Sequence, residues 1–118
     1  MFVIKQSDTY TWPVKVKYAV NEGKYETQEF TAEFKRLPQS KINELADKAT
    51  AVENREADID PVDYVQEFIV GWSDLFDEKE KPVLFSKAQL KKVLDIPGVL
   101  PAIAFAWRES VVGARRGN

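Results

Sequence analysis

The residues best suited to chemistry in this chain are the carboxylates of Asp58-Ile-Asp60-Pro-Val-Asp63, whose type and spacing could suit a divalent cation. A calcium loop, however, requires a longer run of oxygen ligands, a glycine at its sharp turn and a distal glutamate, and neither of those last two is in place. A phosphoryl-transfer Asp-x-Asp would follow a buried apolar strand, whereas this one follows Glu53-Asn-Arg-Glu-Ala. The same residues read better as a helix start. Asp60 is a good cap, Pro61 suits the first helical position, and Asp63 meets the positive end of the helix dipole. No metal site is expected.

The chain has neither histidine nor cysteine. It therefore lacks the usual general base at neutral pH, any thiolate nucleophile, disulfides and the ordinary zinc ligands. No catalytic residue and no cofactor can be nominated, and the expectation is a non-enzymatic protein that binds or assembles. A second candidate chemistry is base stacking, since Tyr10, Trp12, Tyr18 and Tyr25 lie near Lys15, Lys17 and Lys24. Alternation places Trp12 and Tyr18 on the strand face opposite Lys15 and Lys17, so aromatics and cations do not share one surface. With a formal net charge of −2, there is no overall field to recruit nucleic acid or an anionic membrane. Phe2-Val3-Ile4 is too short for a secretory signal.

The elements that must position any surface follow from periodicity. At 118 residues the chain is read as one domain, with a β region over 1–37 and a helical region over 38–118. The expected class is α+β: an antiparallel hairpin or small three-stranded sheet, then about four helices. Trp12, Val14, Val16, Tyr18 and Val20 alternate with Lys15 and Lys17, the mark of a half-buried strand. A turn at Asn21-Glu22-Gly23-Lys24 leads to a second strand with Phe30, Ala32 and Phe34 on one face, and Phe2 to Lys5 could add an edge strand. After Pro38 everything reads as helix. The first helix has Ser40 as its cap and Ile42, Leu45, Ala46, Ala49 and Val52 at helical spacing. The second starts at Asp60-Pro61 and runs to Trp72 through Val62, Val65, Phe68 and Ile69. Asp77 to Pro82 is a charged loop, and Ser86 with Gln89 forms a capping box for a helix carrying Leu90, Val93 and Leu94.

After an Ile96-Pro97-Gly98 break comes Val99 to Trp107, nine residues without a polar side chain, opening the terminal helix. A bilayer-spanning helix needs about 20 apolar residues, so this run is no membrane span. A helix apolar all round must be covered by protein on every side, either by its own fold or by another subunit. Trp72, Leu75, Phe76, Phe105, Trp107, Val111 and Arg115 are accordingly the candidate partner or oligomer contacts, with core as the competing role for the large aromatics. Arg108, Arg115 and Arg116 suit either the negative end of the helix dipole or an acidic partner surface.

Several segments, in order, resemble the small tail assembly chaperones of long-tailed bacteriophages and prophages. They are Phe34-Lys-Arg-Leu37, Val70-Gly-Trp72 before an acidic loop, Pro82-Val-Leu-Phe-Ser86, Asp95-Ile-Pro-Gly-Val99 and the Gly113-Ala-Arg-Arg-Gly-Asn118 ending. They cover most of the chain from about residue 30 onward. The resemblance implies a non-enzymatic role in the cytoplasm of the bacterial host: coating the hydrophobic tape-measure protein before the tail tube polymerises around it, with self-association. It further implies that a frameshifted longer product helps to recruit the tail tube protein, and that the chaperone is absent from the mature virion. Competing expectations are a minor tail or head-tail joining protein retained in the virion, and a nucleic-acid-binding regulator acting through the basic C-terminal end.

Overall fold

The computed structural model describes all residues except Met1, Val3, Lys5, Gln6, 55–57 and 116–118, and of residues 53 and 113–115 the backbone alone. Strand β1 (Thr9–Val20) and strand β2 (Lys24–Lys35) form an antiparallel hairpin, paired from Thr9 with Lys35 to Val20 with Lys24. The reversal between them uses positive φ at two consecutive residues, 66° at Glu22 and 71° at Gly23. Such values match the right-handed twist of the strands, and glycine adopts them without steric cost. The alternation read from the sequence is realised: Trp12, Val14, Val16, Tyr18 and Val20 turn inward, while Lys15 and Lys17 are exposed on the opposite face.

Helix α1 (Gln39–Glu53) begins directly after Pro38, so Ser40 falls inside the first turn and is not the cap. Helix α2 (Pro61–Gln66) starts as expected, with Asp60 accepting the backbone N–H of Val62 at 2.8 Å. It does not run on to Trp72. The chain leaves the helix after Gln66, and Ile69–Ser73 forms β3, antiparallel to β2 with Thr31 opposite Ser73 and Phe34 opposite Ile69. The sheet order is β1-β2-β3, so the third strand comes from here. Of the expected edge strand at Phe2 to Lys5, Val3 and Lys5 lie outside the described residues, and Phe2 and Ile4 are in no strand. A bulge at Val70, where Glu33 pairs Gly71 and Phe34 pairs Ile69, sets the inward positions of β3.

Helix α3 (Lys87–Leu94) is capped by Ser86, whose hydroxyl accepts the Gln89 N–H at 3.1 Å. Gly98 then carries φ +89°, and a Cβ built there would sit 3.3 Å from the Lys17 carbonyl oxygen. This tight turn aims helix α4 (Val99–Arg115) back along the inner face of β1. Two cross-links hold it there: Tyr10 Oη lies 2.7 Å from Ser110 Oγ, and Trp12 Nε1 donates to Glu109 Oε1 at 3.3 Å. Ser110 gives its proton to the Trp107 carbonyl at 2.6 Å, so Tyr10 is the donor in the first of these.

The core lies between the inner sheet face and the helices. Val14, Ala32 and Phe34 meet Leu45 and Val52 of α1, Val65 of α2, and Ile103 and Trp107 of α4 in one buried cluster. Its aromatic centre is Phe68, stacked on Trp107 at 4.5 Å and edge-on to both Phe34 and Tyr64. Tyr64 takes its hydroxyl into this interior and satisfies it on the Leu45 carbonyl at 3.1 Å. Burial of each large apolar side chain contributes about 1.5–3 kcal/mol, and the hydrogen bond removes the penalty of an unpaired hydroxyl.

Candidate functional site

The exit of β3 builds a surface of a different kind. After Trp72 the chain turns at Asp74 (φ 60°), extends through Leu75 and Phe76, reverses over Asp77–Lys81 and returns through Pro82 to Phe85. Asp77 organises the reversal. Its Oδ1 accepts the backbone N–H groups of Lys79 and Lys81 at 2.8 and 3.0 Å, and its own N–H donates to the Lys81 carbonyl. The returning arm is tied back by Val83 N–H to the Leu75 carbonyl at 2.8 Å, and by Trp72 Nε1 to the Val83 carbonyl at 2.7 Å. Trp72 packs edge-on against Phe85 at 4.7 Å and Phe30 at 6.4 Å, which joins the arm to the inner sheet face.

What results is an open cleft of about 340 Å³ whose lining combines apolar side chains, among them Trp72, Leu75, Phe76, Val83, Leu84 and Phe85, with Ser73 and Asp74. Phe76 is 56% exposed and Leu84 80%. In an extended arm, alternate side chains point to opposite sides. Val83 and Phe85 therefore turn inward and leave Leu84 outside. Around this apolar centre stand Asp74, Asp77, Glu78 and Glu80, with Lys79 and Lys81, all exposed. An apolar patch rimmed by charge is characteristic of a contact surface.

A second apolar surface runs along the outer side of α4. Val99, Leu100, Ile103, Ala104, Ala106 and Trp107 are buried within the chain, whereas Pro101 is exposed and Phe105 is 61% exposed. Val112, two turns beyond Phe105, is half-buried, and Ile96 just before the helix is 53% exposed. The apolar run is thus covered on most sides by its own fold, with one stripe left open.

Of the residues nominated from the sequence, Phe76 and Phe105 are exposed, and Trp72 and Leu75 line the cleft. Val111 is half-buried against the core. Trp107, 1% exposed, is a core residue in this conformation and offers nothing to a partner. Arg115 ends α4, and its side chain lies outside the described residues, as does all of Arg116. Trp72, placed by sequence at a helix exit, sits instead on β3. Sequence reasoning missed Leu84 and Ile96. For Leu84 the signal was available, because an extended Pro82-Val-Leu-Phe-Ser86 must turn one of its apolar residues outward.

The acidic cluster has a structural role at Asp60, as the α2 cap, and among the described residues no three carboxylates gather as a metal site would require. Asp60 and Asp95 line a wider cleft of about 520 Å³ with Ala88, Lys91 and Lys92 between α2 and α3. Near it Lys87 lies 4.0 Å from Asp63. These charges are solvated and opposed in sign, so the cleft selects no ligand charge. No helix among the described residues is long and apolar enough to cross a membrane.

Fold and surface together define an α+β protein whose distinguishing feature is exposed apolar contact area on an otherwise closed core. Comparison with known families gives this a specific meaning: the family model described as phage tail assembly chaperone matches residues 1–118, the whole chain. The chain belongs to the phage tail assembly chaperone family. No curated protein and no solved structure matches it.

Proposed function

We propose that this protein binds the tape-measure protein and self-associates during assembly of a long phage tail, acting without catalysis in the host bacterial cytoplasm. The family membership supports a chaperone role. The observation that carries the finer reading is the pair of open apolar surfaces, Phe76 with Leu84 and Pro101 with Phe105. A protein that shields an apolar filament temporarily needs apolar area of its own. That area must be modest enough for tube subunits to displace it. In this reading the chaperone leaves before the virion matures, and a frameshifted longer product recruits the tail tube protein.

Co-expression of the full chain with the tape-measure protein tests the binding step. The expected result is a soluble complex that co-purifies, with tape-measure protein alone aggregating. Tape-measure protein that stays equally soluble without this chain would overturn the reading. Mass spectrometry of purified particles should find the chain missing; stoichiometric amounts there would favour a retained minor tail or head-tail joining protein instead.

A further inference from the structure

Backbone hydrogen bonding along the sheet leaves one gap. Arg36 N–H donates to the Asp8 carbonyl at 2.9 Å, on the β1 side, whereas Lys35 N–H donates to the Phe68 carbonyl at 2.8 Å, on the β3 side. In an antiparallel strand these directions alternate. The even-numbered residues of β2 therefore serve β1, and the odd-numbered ones face the other way. Glu33 and Thr31 meet Gly71 and Ser73 there. At Asp74 the chain departs through its positive φ of 60°, and Glu29, Thr27 and Tyr25 have no strand opposite them. Residues 24–29 are all exposed, and among the described residues none of them forms a backbone bond outside the hairpin. Three N–H and three C=O groups thus point from an extended strand into solvent.

The opposite edge of the sheet is defended where this one is not. On β1 the odd-numbered residues face outward, and among them Pro13 has no N–H to offer. Gly98 packs against the Lys17 carbonyl, close enough that a Cβ there would come within 3.3 Å. A proline and a covering turn are common ways to stop a strand edge from pairing. Residues 25–29 of β2 have neither.

Resting on the tape-measure binding proposed above, we infer that the open edge at 25–29 holds an extended segment of the tape-measure protein as an added strand. It takes up the line that β3 abandons at Ser73, and the cleft at that end receives its apolar side chains. Main-chain hydrogen bonds supply affinity that depends little on sequence. That suits a small protein that covers successive segments of one long chain. Charge favours the same occupant over a second copy. Glu26, Glu29 and Asp74 border the edge, against Lys24 at its far end, 3.9 Å from Glu22. The arm adds Asp77, Glu78 and Glu80 against Lys79 and Lys81, and Lys15 and Lys17 lie one strand back on β1. The bound segment is therefore basic as well as apolar, whereas a second copy's edge would bring carboxylates of its own.

Thr27→Pro in the full chain tests the edge. It removes the outward N–H and places a ring on the edge while sparing every bond to β1, as Pro13 does on the opposite side. Circular dichroism checks the fold, and Thr27→Val, which keeps the N–H, is the control. Co-purification with co-expressed tape-measure protein should fall about tenfold or more for the proline variant and stay at the wild-type level for valine. Hydrogen exchange of the wild-type complex gives a second reading that needs no variant. The amides of Tyr25, Thr27 and Glu29 should slow when the tape-measure protein is bound.

A proline variant that binds as the wild type does, or an equal loss in the valine variant, would overturn strand addition while leaving tape-measure binding in place. So would amides at 25, 27 and 29 that exchange alike free and bound. Slowing of those amides in the chain alone, as its concentration rises, would give the edge to a second copy and overturn the assigned occupant. A wild-type chain that captures no tape-measure protein would overturn the binding itself, and this inference with it.

Discussion

Trp107 and Trp72 divide the molecule into a closed region and an open one built from the same kinds of residue. Trp107 stacks on Phe68 at 4.5 Å and is covered by sheet and helices on all sides. Trp72 packs edge-on against Phe30 and Phe85, and the arm beyond it leaves Phe76 and Leu84 in solvent. Aromatic content does not separate the two regions. Coverage does: α4 lies along β1 and closes the first, while no element among the described residues lies over the cleft of the second. Apolar residues thus serve stability where a facing element exists and remain available for contact where none does.

The sharpest way to break this contrast is Trp107→Ala. It should cost about 3–5 kcal/mol in denaturant unfolding, since the aromatic stack on Phe68 would be replaced by a cavity. A cost below about 1 kcal/mol would mean that the closed region is not closed. Trp72→Phe should cost less, about 1 kcal/mol, because it keeps the ring contacts but leaves the Val83 carbonyl without its indole donor. Amide exchange should accelerate in 75–85 and remain slow in α4. Equal acceleration in both would show one cooperative unit in place of two regions.

Tyr10 probes the closed seam by pH. Burial, the largest influence, holds its hydroxyl above the ordinary value of 10.0, against a smaller opposing effect of the Arg36 guanidinium. The folded state therefore favours the protonated phenol. This contribution is present below the ordinary value and is lost as pH rises through the higher folded one. The urea midpoint should fall as pH rises above the ordinary value of 10.0, and Tyr10→Phe should flatten part of that fall. Tyr18, also raised but through its hydrogen bond to Glu26, is the control in the exposed part of the hairpin. If Tyr18→Phe flattened the curve as much, burial of the seam would not be the cause. The smallest stability effect belongs to the open region: Leu84→Ser should change unfolding by no more than about 0.5 kcal/mol.

Local chemistry was readable where it needed only neighbouring residues. The β1–β2 alternation, the Glu22-Gly23 reversal and the caps at Asp60 and Ser86 all follow from spacing and side-chain type. The third strand was not readable. Val62, Val65, Phe68, Ile69 and Trp72 satisfy a helical period, and that spacing suits a continuing helix. What ended the helix lies far away in sequence: the unpaired edge of β2 at Thr31 to Phe34, which Ile69 to Ser73 completes through the Val70 bulge. Backbone hydrogen bonding across that edge outweighs local helical preference.

The candidate surfaces divide the same way. Composition alone excluded histidine and cysteine chemistry and turned attention to contact surfaces, and it marked Val99 to Trp107 as a run that protein must cover. Which of those residues would be covered was a tertiary matter. The turn at Gly98 against Lys17 fixes how α4 approaches the sheet, sending Trp107 inward and Phe105 outward. Periodicity shows that a helix has faces, but the choice between them depends on which element it meets.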